Sequence, residues 1–298
     1  MSAVTRGTPA GDAYLDLQRQ ARETGRLTDE LHQLYVLEGF LARLVVSPVH
    51  DQFVLKGGVL LAAFGNRRPT RDVDLSGQHV SNDTSTILEL VRSVLTVTLP
   101  DDDGLVFRAD LATAEVIREN DDYSGVRVSA TATLDRSRLT FHVDVSVGDP
   151  IHPEPTNVSV PRLRGGEPII VAGYPMHMVL AEKIVTAVQR GTASTRWRDF
   201  GDIWTLSRHH PIAGSDLQHA ITAVAQHRRA TLAPLVEVLD GYDTTGQGKW
   251  TTWRQRNNCW WLPERFGDVL DAVITFADPA LVGGVDGRIW NPNTITWS

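Results

Sequence analysis

Phe53-Val54-Leu55-Lys56-Gly57-Gly58-Val59-Leu60-Leu61-Ala62-Ala63-Phe64, followed by Arg71-Asp72-Val73-Asp74-Leu75-Ser76, is the stretch that decides how this chain is read. A short apolar strand runs into a glycine pair. A short helix from Val59 to Phe64 follows and stops at Gly65-Asn66, and a second strand then begins. Side chains at i and i+2 of a strand share a face, so Asp72 and Asp74 project together while Val73 enters the core. Two carboxylates so placed repel each other unless a cation sits between them. Oxygen-only ligation suits Mg²⁺, which keeps waters and substrate phosphates in its remaining positions. Glycines at a strand-to-helix junction allow close backbone approach to an anion, and the helix start offers free N–H groups. Lys56 adds a point charge. Each feature alone is as readily structural: DxD suits a solvated strand end, and Gly-Gly turns are common. Their order, with an anion cradle and a cation clamp within twenty residues, is what raises the reading.

Working outward, Leu139 to Val147 alternates cleanly. Leu139, Phe141, Val143, Val145 and Val147 take one face, and Thr140, His142, Asp144 and Ser146 the other. An Asp in the middle of such a strand is costly unless paired or metal-bound. If this strand lies beside Asp72-Val73-Asp74, Asp144 is a third carboxylate at the same place; otherwise it marks a wet face, where His142 also belongs. Leu105 to Asp110 and Val126 to Leu134 read as further strands of one sheet, and Ser85 to Leu99 as a helix. On the N-terminal side, Thr28-Asp29-Glu30 opens a helix with apolar residues from Leu31 to Val45 at helical spacing, ended by Pro48. Met1 to Gly11 reads as a frayed tail. Gly148 to Gly173, with five prolines, reads as a linker. After Tyr174 the pattern becomes helical, and all eight tryptophans lie there, from Trp197 to Trp297, as expected of a packed helical core. The division expected is 1–27 for the tail and first helix, 28–150 for a mixed core, 151–173 for a linker and 174–298 for a helical domain.

Pro175 to Gly191 is a bounded helix, with Pro near its start and Gly past its end. Lys183 sits at the edge of its apolar stripe, where a lysine either snorkels or crosses a cleft toward a phosphate. Asp199 and Asp202 follow in Arg198-Asp199-Phe200-Gly201-Asp202 and share a face at i, i+3 on a helix. Either could position Lys183 or an arginine, or act as a base. Only three of the 29 basic residues are lysines, Lys56, Lys183 and Lys249, and two of them fall in these motifs.

Composition excludes several classes. With 42% hydrophobic and 22% charged residues the chain is an ordinary globule, not a disordered one. One cysteine, Cys259, excludes an intramolecular disulfide, a CxxC redox pair and a multi-cysteine zinc site. No apolar leader segment and no run of ~20 apolar residues is present, so a cytoplasmic protein with no membrane span is expected. The net charge of −7 disfavours nonspecific coating of nucleic acid but leaves room for a local basic cleft. Candidates for such a cleft are Arg67, Arg68, Arg190, Arg196, Arg228, Arg229, Arg254 and Arg256, with Trp250 or Trp253 as stacking planes.

The ordered set resembles the nucleotidyltransferase toxins of the AbiEii/AbiGii type IV toxin–antitoxin family, including the mycobacterial nucleotidyltransferase toxins, within the DNA polymerase β-like superfamily. The residues that carry the resemblance are Leu55-Lys56-Gly57-Gly58 with Leu60-Leu61 and Phe64-Gly65; Arg68, Thr70 and Arg71 to Ser76; His142 to Ser146 with Gly148-Asp149-Pro150; and Leu180 to Ile184 with Arg198 to Asp202. They span roughly 30–207. The resemblance implies an α/β (α+β) nucleotidyltransferase core with a mixed sheet and a helical C-terminal domain. It implies catalytic residues Asp72, Asp74, Asp144, Lys183 and Asp199, with Asp202 the alternative to Asp199. Asp72, Asp74 and Asp144 would hold Mg²⁺ or Mn²⁺. Lys56, Gly57, Gly58, Ser76 and Asp202 would hold the nucleoside triphosphate. Some members add nucleotides, pyrimidines in known cases, to the 3′ end of tRNA and so stop translation. This chain has Gly57-Gly58-Val59 where many relatives have a hydroxyl residue, so that one phosphate contact is lost or is replaced by Lys56.

The expectation is therefore a toxin that transfers a nucleotide to tRNA, with a cognate antitoxin that either binds it or acts as a kinase. Modification of a protein or small molecule, and a non-catalytic nucleotide- or RNA-binding module, are the competing readings. For a kinase partner, Ser76 and Thr70 are the candidate acceptors. Each lies two residues from a carboxylate, and a phosphate there would add about −1.5 to −2 charges beside the site.

Overall fold

The computed structural model describes residues 3–118 and 124–298. Met1 and Ser2, the start of the expected tail, lie outside the described residues. The chain divides into two compact units, one of Met1–Gly148 with Thr156–Gly173 and one of Asp149–Pro155 with Tyr174–Ser298.

The first unit is a mixed sheet with helices. Its elements are α1 (Pro9–Thr24), α2 (Thr28–Val46), β1 (Phe53–Lys56), α3 (Gly57–Leu60), β2 (Asp72–Gly77), α4 (Thr84–Leu95), β3 (Leu105–Phe107), β4 (Thr113–Arg118), β5 (Ser124–Leu134), β6 (Ser137–Val147), β7 (Thr156–Val160) and β8 (Ile169–Gly173). The sheet order is β3-β5-β6-β2-β1-β8-β7, with β4 also paired to β5. β2 runs parallel to β6 and antiparallel to β1, and β5 is antiparallel to β6. The alternation from Leu139 to Val147 buries Phe141, Val143 and Val145. Phe40 of α2 meets Phe141 at 6.0 Å between ring centroids, so α2 covers that face and the polar residues of β6 point to the other.

Three expectations change here. The tail is shorter than expected: α1 starts at Pro9, because the Thr8 side chain accepts a hydrogen bond from the Gly11 N–H and proline suits the first helical position. The proline-rich stretch is not simply a linker. It supplies β7 and β8, antiparallel to each other, with β8 joined parallel to β1 at Leu55 and Gly173. Its prolines flank these strands at Pro155, Pro161 and Pro168 and do not interrupt them, while Val158, Val160, Ile169 and Val171 are buried. Thirdly, β4 was not expected, and the strand anticipated at 105–110 covers only Leu105–Phe107.

The second unit contains α5 (Met176–Arg190), α6 (Trp197–His209), α7 (Gly214–His227), α8 (Leu235–Val238), α9 (Tyr242–Arg256) and α10 (Phe266–Leu281). A small sheet of β9 (Ile212–Ala213), β10 (Ile289–Asn291) and β11 (Thr296–Trp297) accompanies them. Its aromatic core joins Trp197, Phe200, Tyr242, Trp250 and Phe266, with Trp250 stacked on Phe266 at 5.1 Å. Among the described residues, no helix is long and apolar enough to cross a membrane.

Trp250 is fully buried and its indole N–H donates to the Pro263 carbonyl at 3.0 Å. Trp250→Ala should therefore cost about 3–5 kcal/mol, the range for a large aromatic removed from a core. Chemical denaturation followed by circular dichroism measures it.

Candidate active site

The register of the sheet assembles the site. Antiparallel pairing sets Lys56 of β1 opposite Asp74, and parallel pairing sets Asp74 opposite Asp144. The β5–β6 hairpin sets Arg127 opposite Asp144 and Glu115 of β4 opposite Arg127. Directly paired residues share a face, so one row reads Lys56, Asp74, Asp144, Arg127, Glu115 across five strands. The next row carries Asp72 opposite His142, whose Nδ1 lies 3.0 Å from Ser129 Oγ. Lys56, Asp74, Ile117, Gly125, Asp144 and Ser146 line a recess on this face.

Asp74 is the strained charge. Burial first, then the neighbouring carboxylates Asp144 and Asp72, push its carboxyl up to about 6, against the pull of Lys56 and the Gly58 N–H. The Gly58 N–H donates to Asp74 Oδ2 at 3.3 Å. The glycine pair, expected as a phosphate cradle, thus receives a carboxylate in this structure. Gly57 adopts φ +66°, and a Cβ there would lie 1.9 Å from Asp74 Oδ2. Glycine is required at 57 both for the backbone conformation and for the approach of Asp74.

Asp144 is held otherwise. Both its oxygens accept from Arg127, from Nε at 2.8 Å and from Nη2 at 2.7 Å, in a bidentate pair. Sequence reasoning missed Arg127. Its signal lay in the hairpin: Asp135 takes φ +49° at the turn, Leu134 pairs with Ser137, and counting back along both strands reaches Arg127 and Asp144. Among the described residues, no three His, Cys, Asp or Glu side chains converge as a ready-made metal cage. The oxygen donors and the repulsion at Asp74 nevertheless fit a hard divalent cation.

Ser76 shares the strand but not the access. It is fully buried, and its Oγ accepts from Gln78 Nε2 at 3.0 Å. A kinase cannot reach it in this conformation, which corrects the expectation of an open acceptor. Thr70 is part-buried, with its Oγ1 bonded to the Asp72 carbonyl at 3.4 Å.

Within the second unit, Lys183, Asp199 and Asp202 do come together. Lys183 Nζ donates to Asp199 Oδ1 and Asp202 Oδ2, each at 2.9 Å, and Arg196 Nε donates to Asp199 Oδ2 at 2.5 Å. Burial alone would raise the Asp199 carboxyl, but Lys183 and Arg196 outweigh it and hold it well below the usual range. The choice between the two aspartates therefore dissolves, since both clamp Lys183. The lysine neither snorkels nor reaches out: its side chain is 11% exposed.

Several arginines expected in a basic cleft are committed elsewhere. Arg67 bonds the Pro161 carbonyl, Arg228 bonds Thr186, and Arg254 is buried with Nε on the Leu262 carbonyl at 2.8 Å. Trp250 lies in the core, so it offers no stacking plane. The exposed tryptophans are Trp260 and Trp261, at 58% and 50%, on the turn after α9.

A mixed sheet with two carboxylates side by side on parallel strands, fed by a glycine turn, is what the resemblance implies for the core. One solved structure agrees at the level of fold. A candidate nucleotidyltransferase from H. pylori aligns with TM-score 0.51 at 14% identity, over 85% of this chain and 96% of that one. JHP933 from Helicobacter pylori aligns with TM-score 0.49 at 15% identity, over 84% and 94%. No curated protein sequence matches the chain. The family described as nucleotidyl transferase AbiEii toxin, type IV toxin–antitoxin system, matches residues 39–257, and the chain belongs to it.

Three outcomes are expected. Gly57→Ala should abolish nucleotide transfer, measured with labelled triphosphates, because the new Cβ occupies the place of the Asp74 carboxylate. Asp74→Asn should stabilise the protein in EDTA. The folded carboxyl is raised above its ordinary 3.8, so its ionisation opposes folding above about pH 6. The variant should gain about 1–3 kcal/mol at pH 8, and the difference should vanish below about pH 4, in denaturation curves taken across pH. Lys183→Ala leaves two buried carboxylates with one fewer cation and should cost about 3–5 kcal/mol of stability, whereas exposed Lys249→Ala should change it by less than about 0.5 kcal/mol.

Proposed function

We propose that this nucleotidyltransferase is the toxin of a toxin–antitoxin pair and moves a nucleotide, a pyrimidine by the resemblance, from a triphosphate to the 3′ end of tRNA in a cation-dependent reaction. The observation that carries the cation-dependent part is Asp74, a carboxylate set beside Asp144 by parallel register and still raised by burial and its like-charged neighbours despite Lys56 and the Gly58 N–H. Asp72 and Asp74, with Asp144, would hold Mg²⁺ or Mn²⁺. When bound, the cation would supply charge neutralisation at the triphosphate and a more acidic attacking hydroxyl. Lys56, next to Asp74 in the row, supplies a fixed positive charge for the phosphates. The 3′ oxygen of the acceptor would attack the α-phosphorus, the bond from the α-phosphorus to the bridging oxygen would break and pyrophosphate would leave, while the hydroxyl proton passes to solvent water; Asp144 would help to activate that hydroxyl through the cation. Lys183 and Asp199 are proposed to contribute to the same reaction, as the resemblance implies.

An RNA acceptor is supported by the second unit. Trp260 and Trp261 stand exposed on a turn that Arg254 stiffens, with its Nη2 on the Trp260 carbonyl at 3.1 Å and its guanidinium 5.3 Å from the Trp260 ring. Arg256 and Arg265 are exposed nearby in sequence. Rigid aromatic rings beside cations suit stacked bases and phosphates, while a small acceptor has no use for them. The burial of Ser76 favours an antitoxin that binds over one that phosphorylates this residue.

The test is incubation with each α-labelled triphosphate, with and without tRNA. Label in tRNA at its 3′ end is expected, and Asp72→Ala or Asp74→Ala should reduce it by about 10³-fold or more, the scale of a lost charge-stabilising group. Label in protein, in a small acceptor or nowhere contradicts the proposal. Trp260→Ala with Trp261→Ala should weaken tRNA binding by about tenfold or more, the worth of one or two stacked bases. Filter binding at several salt concentrations measures it, and unchanged affinity would return these rings to another role.

A further inference from the structure

Arg127 lies outside every motif that drew attention to this chain, yet it makes the most specific contact in the recess. Both oxygens of Asp144 are taken by its guanidinium, at 2.8 and 2.7 Å, in the fork geometry that fixes a carboxylate plane. Asp144 stands between two neighbours of opposite sign in the same row, Asp74 on β2 and Arg127 on β5. A cation shared by Asp74 and Asp144 needs a lone pair on at least one Asp144 oxygen, and it meets there a carboxylate whose charge the Arg127 guanidinium already offsets at 2.8 and 2.7 Å. The guanidinium also feels Asp72 and Glu115, so its charge acts on the whole carboxylate group.

We propose that Arg127 is a positioning residue that holds Asp144 in place and competes with the divalent cation for it, thereby setting the cation concentration at which the site loads. The proposal rests on the reading of Asp74 and Asp144 as cation ligands. A purely structural role for Arg127 is a poor fit to its surroundings. Its side chain is 31% exposed, and the β5–β6 hairpin is already held by nine paired positions from Val126–Val145 to Leu134–Ser137. What the pair adds is a defined orientation for one carboxylate. Arg127 also lowers the attraction of the site for a second positive charge. Against that opposing charge a doubly charged cation is attracted more strongly than a monovalent one, which favours Mg²⁺ or Mn²⁺.

The experiment is Mn²⁺ binding to the full chain, read by electron paramagnetic resonance of the free ion, for wild type, Arg127→Gln, Arg127→Lys, Asp144→Asn and the double variant Arg127→Gln/Asp144→Asn. Circular dichroism confirms that each is folded. Arg127→Gln should bind Mn²⁺ about tenfold more tightly, the scale of one nearby unit charge removed from a partly exposed site. Its turnover should nevertheless fall, because Asp144 is no longer oriented. Arg127→Lys keeps the charge without the fork and should fall between Arg127→Gln and wild type, which keeps the proposal testable if Arg127→Gln does not fold. The tightening should shrink in the Asp144→Asn background, the remainder being the guanidinium's action on Asp72 and Asp74, since a double-variant cycle isolates the pair. If wild type binds Mn²⁺ and Arg127→Gln binds it equally or more weakly, the proposal is overturned and the reading of the carboxylates stands. If wild type binds no Mn²⁺ and transfers no nucleotide, that reading falls and the proposal with it.

Discussion

Everything in the first unit depends on two carboxylates held side by side. Asp74 and Asp144 are neighbours on one face because β2 and β6 run parallel in register. A fold that places like charges together has to stabilise them by other means. Here Lys56 flanks one and Arg127 the other, so the row runs positive, negative, negative, positive. The compensation is unequal. Arg127 grips Asp144 through two short hydrogen bonds, whereas Asp74 has a longer bond from the Gly58 N–H and a carboxyl still pushed up to about 6. A carboxyl left raised at a recess is a mark of a functional site, and the proposed cation binding rests on it.

The glycine pair is understood in the same terms. Its position between strand and helix suggests an anion cradle, but the anion that it receives in the structure is the protein's own Asp74. Gly57 combines a positive φ with an absent Cβ whose place the Asp74 carboxylate takes. The turn thus sets the height of Asp74 above the sheet. The second unit shows a parallel economy of charge: Lys183 and Arg196 balance Asp199 and Asp202 in one buried cluster. Such a cluster is costly to break and fixes the geometry of whatever it carries.

The chain displays some of this plainly and hides the rest for identifiable reasons. Strand alternation from Leu139 to Val147 and the shared face of Asp72 and Asp74 follow from a period of two, so they were legible. The grouping of Lys183 with Asp199 and Asp202 was legible from helical spacing once two helices were recognised, though the choice between the aspartates was not. Arg127 was not legible, because its importance lies in a register that only the hairpin turn at Asp135 defines. Ser76 shows the limit of face arguments: alternation assigns a side chain to a face, but its burial comes from the neighbours, among them Gln78. The strands β7 and β8 were concealed by prolines that lie at their ends. For the tryptophans, composition announced a core, and only the turn after α9 separates buried Trp250 from exposed Trp260 and Trp261.

The central claim is that the strain at Asp74 exists to be relieved by a divalent cation. Thermal unfolding at pH 8 with rising Mg²⁺, for wild type and Asp74→Asn, tests it most directly. The account predicts that wild type gains stability in proportion to the logarithm of Mg²⁺ concentration once the site fills, as mass action requires, while Asp74→Asn gains much less. An equal shift in both proteins, or none in wild type, would contradict it.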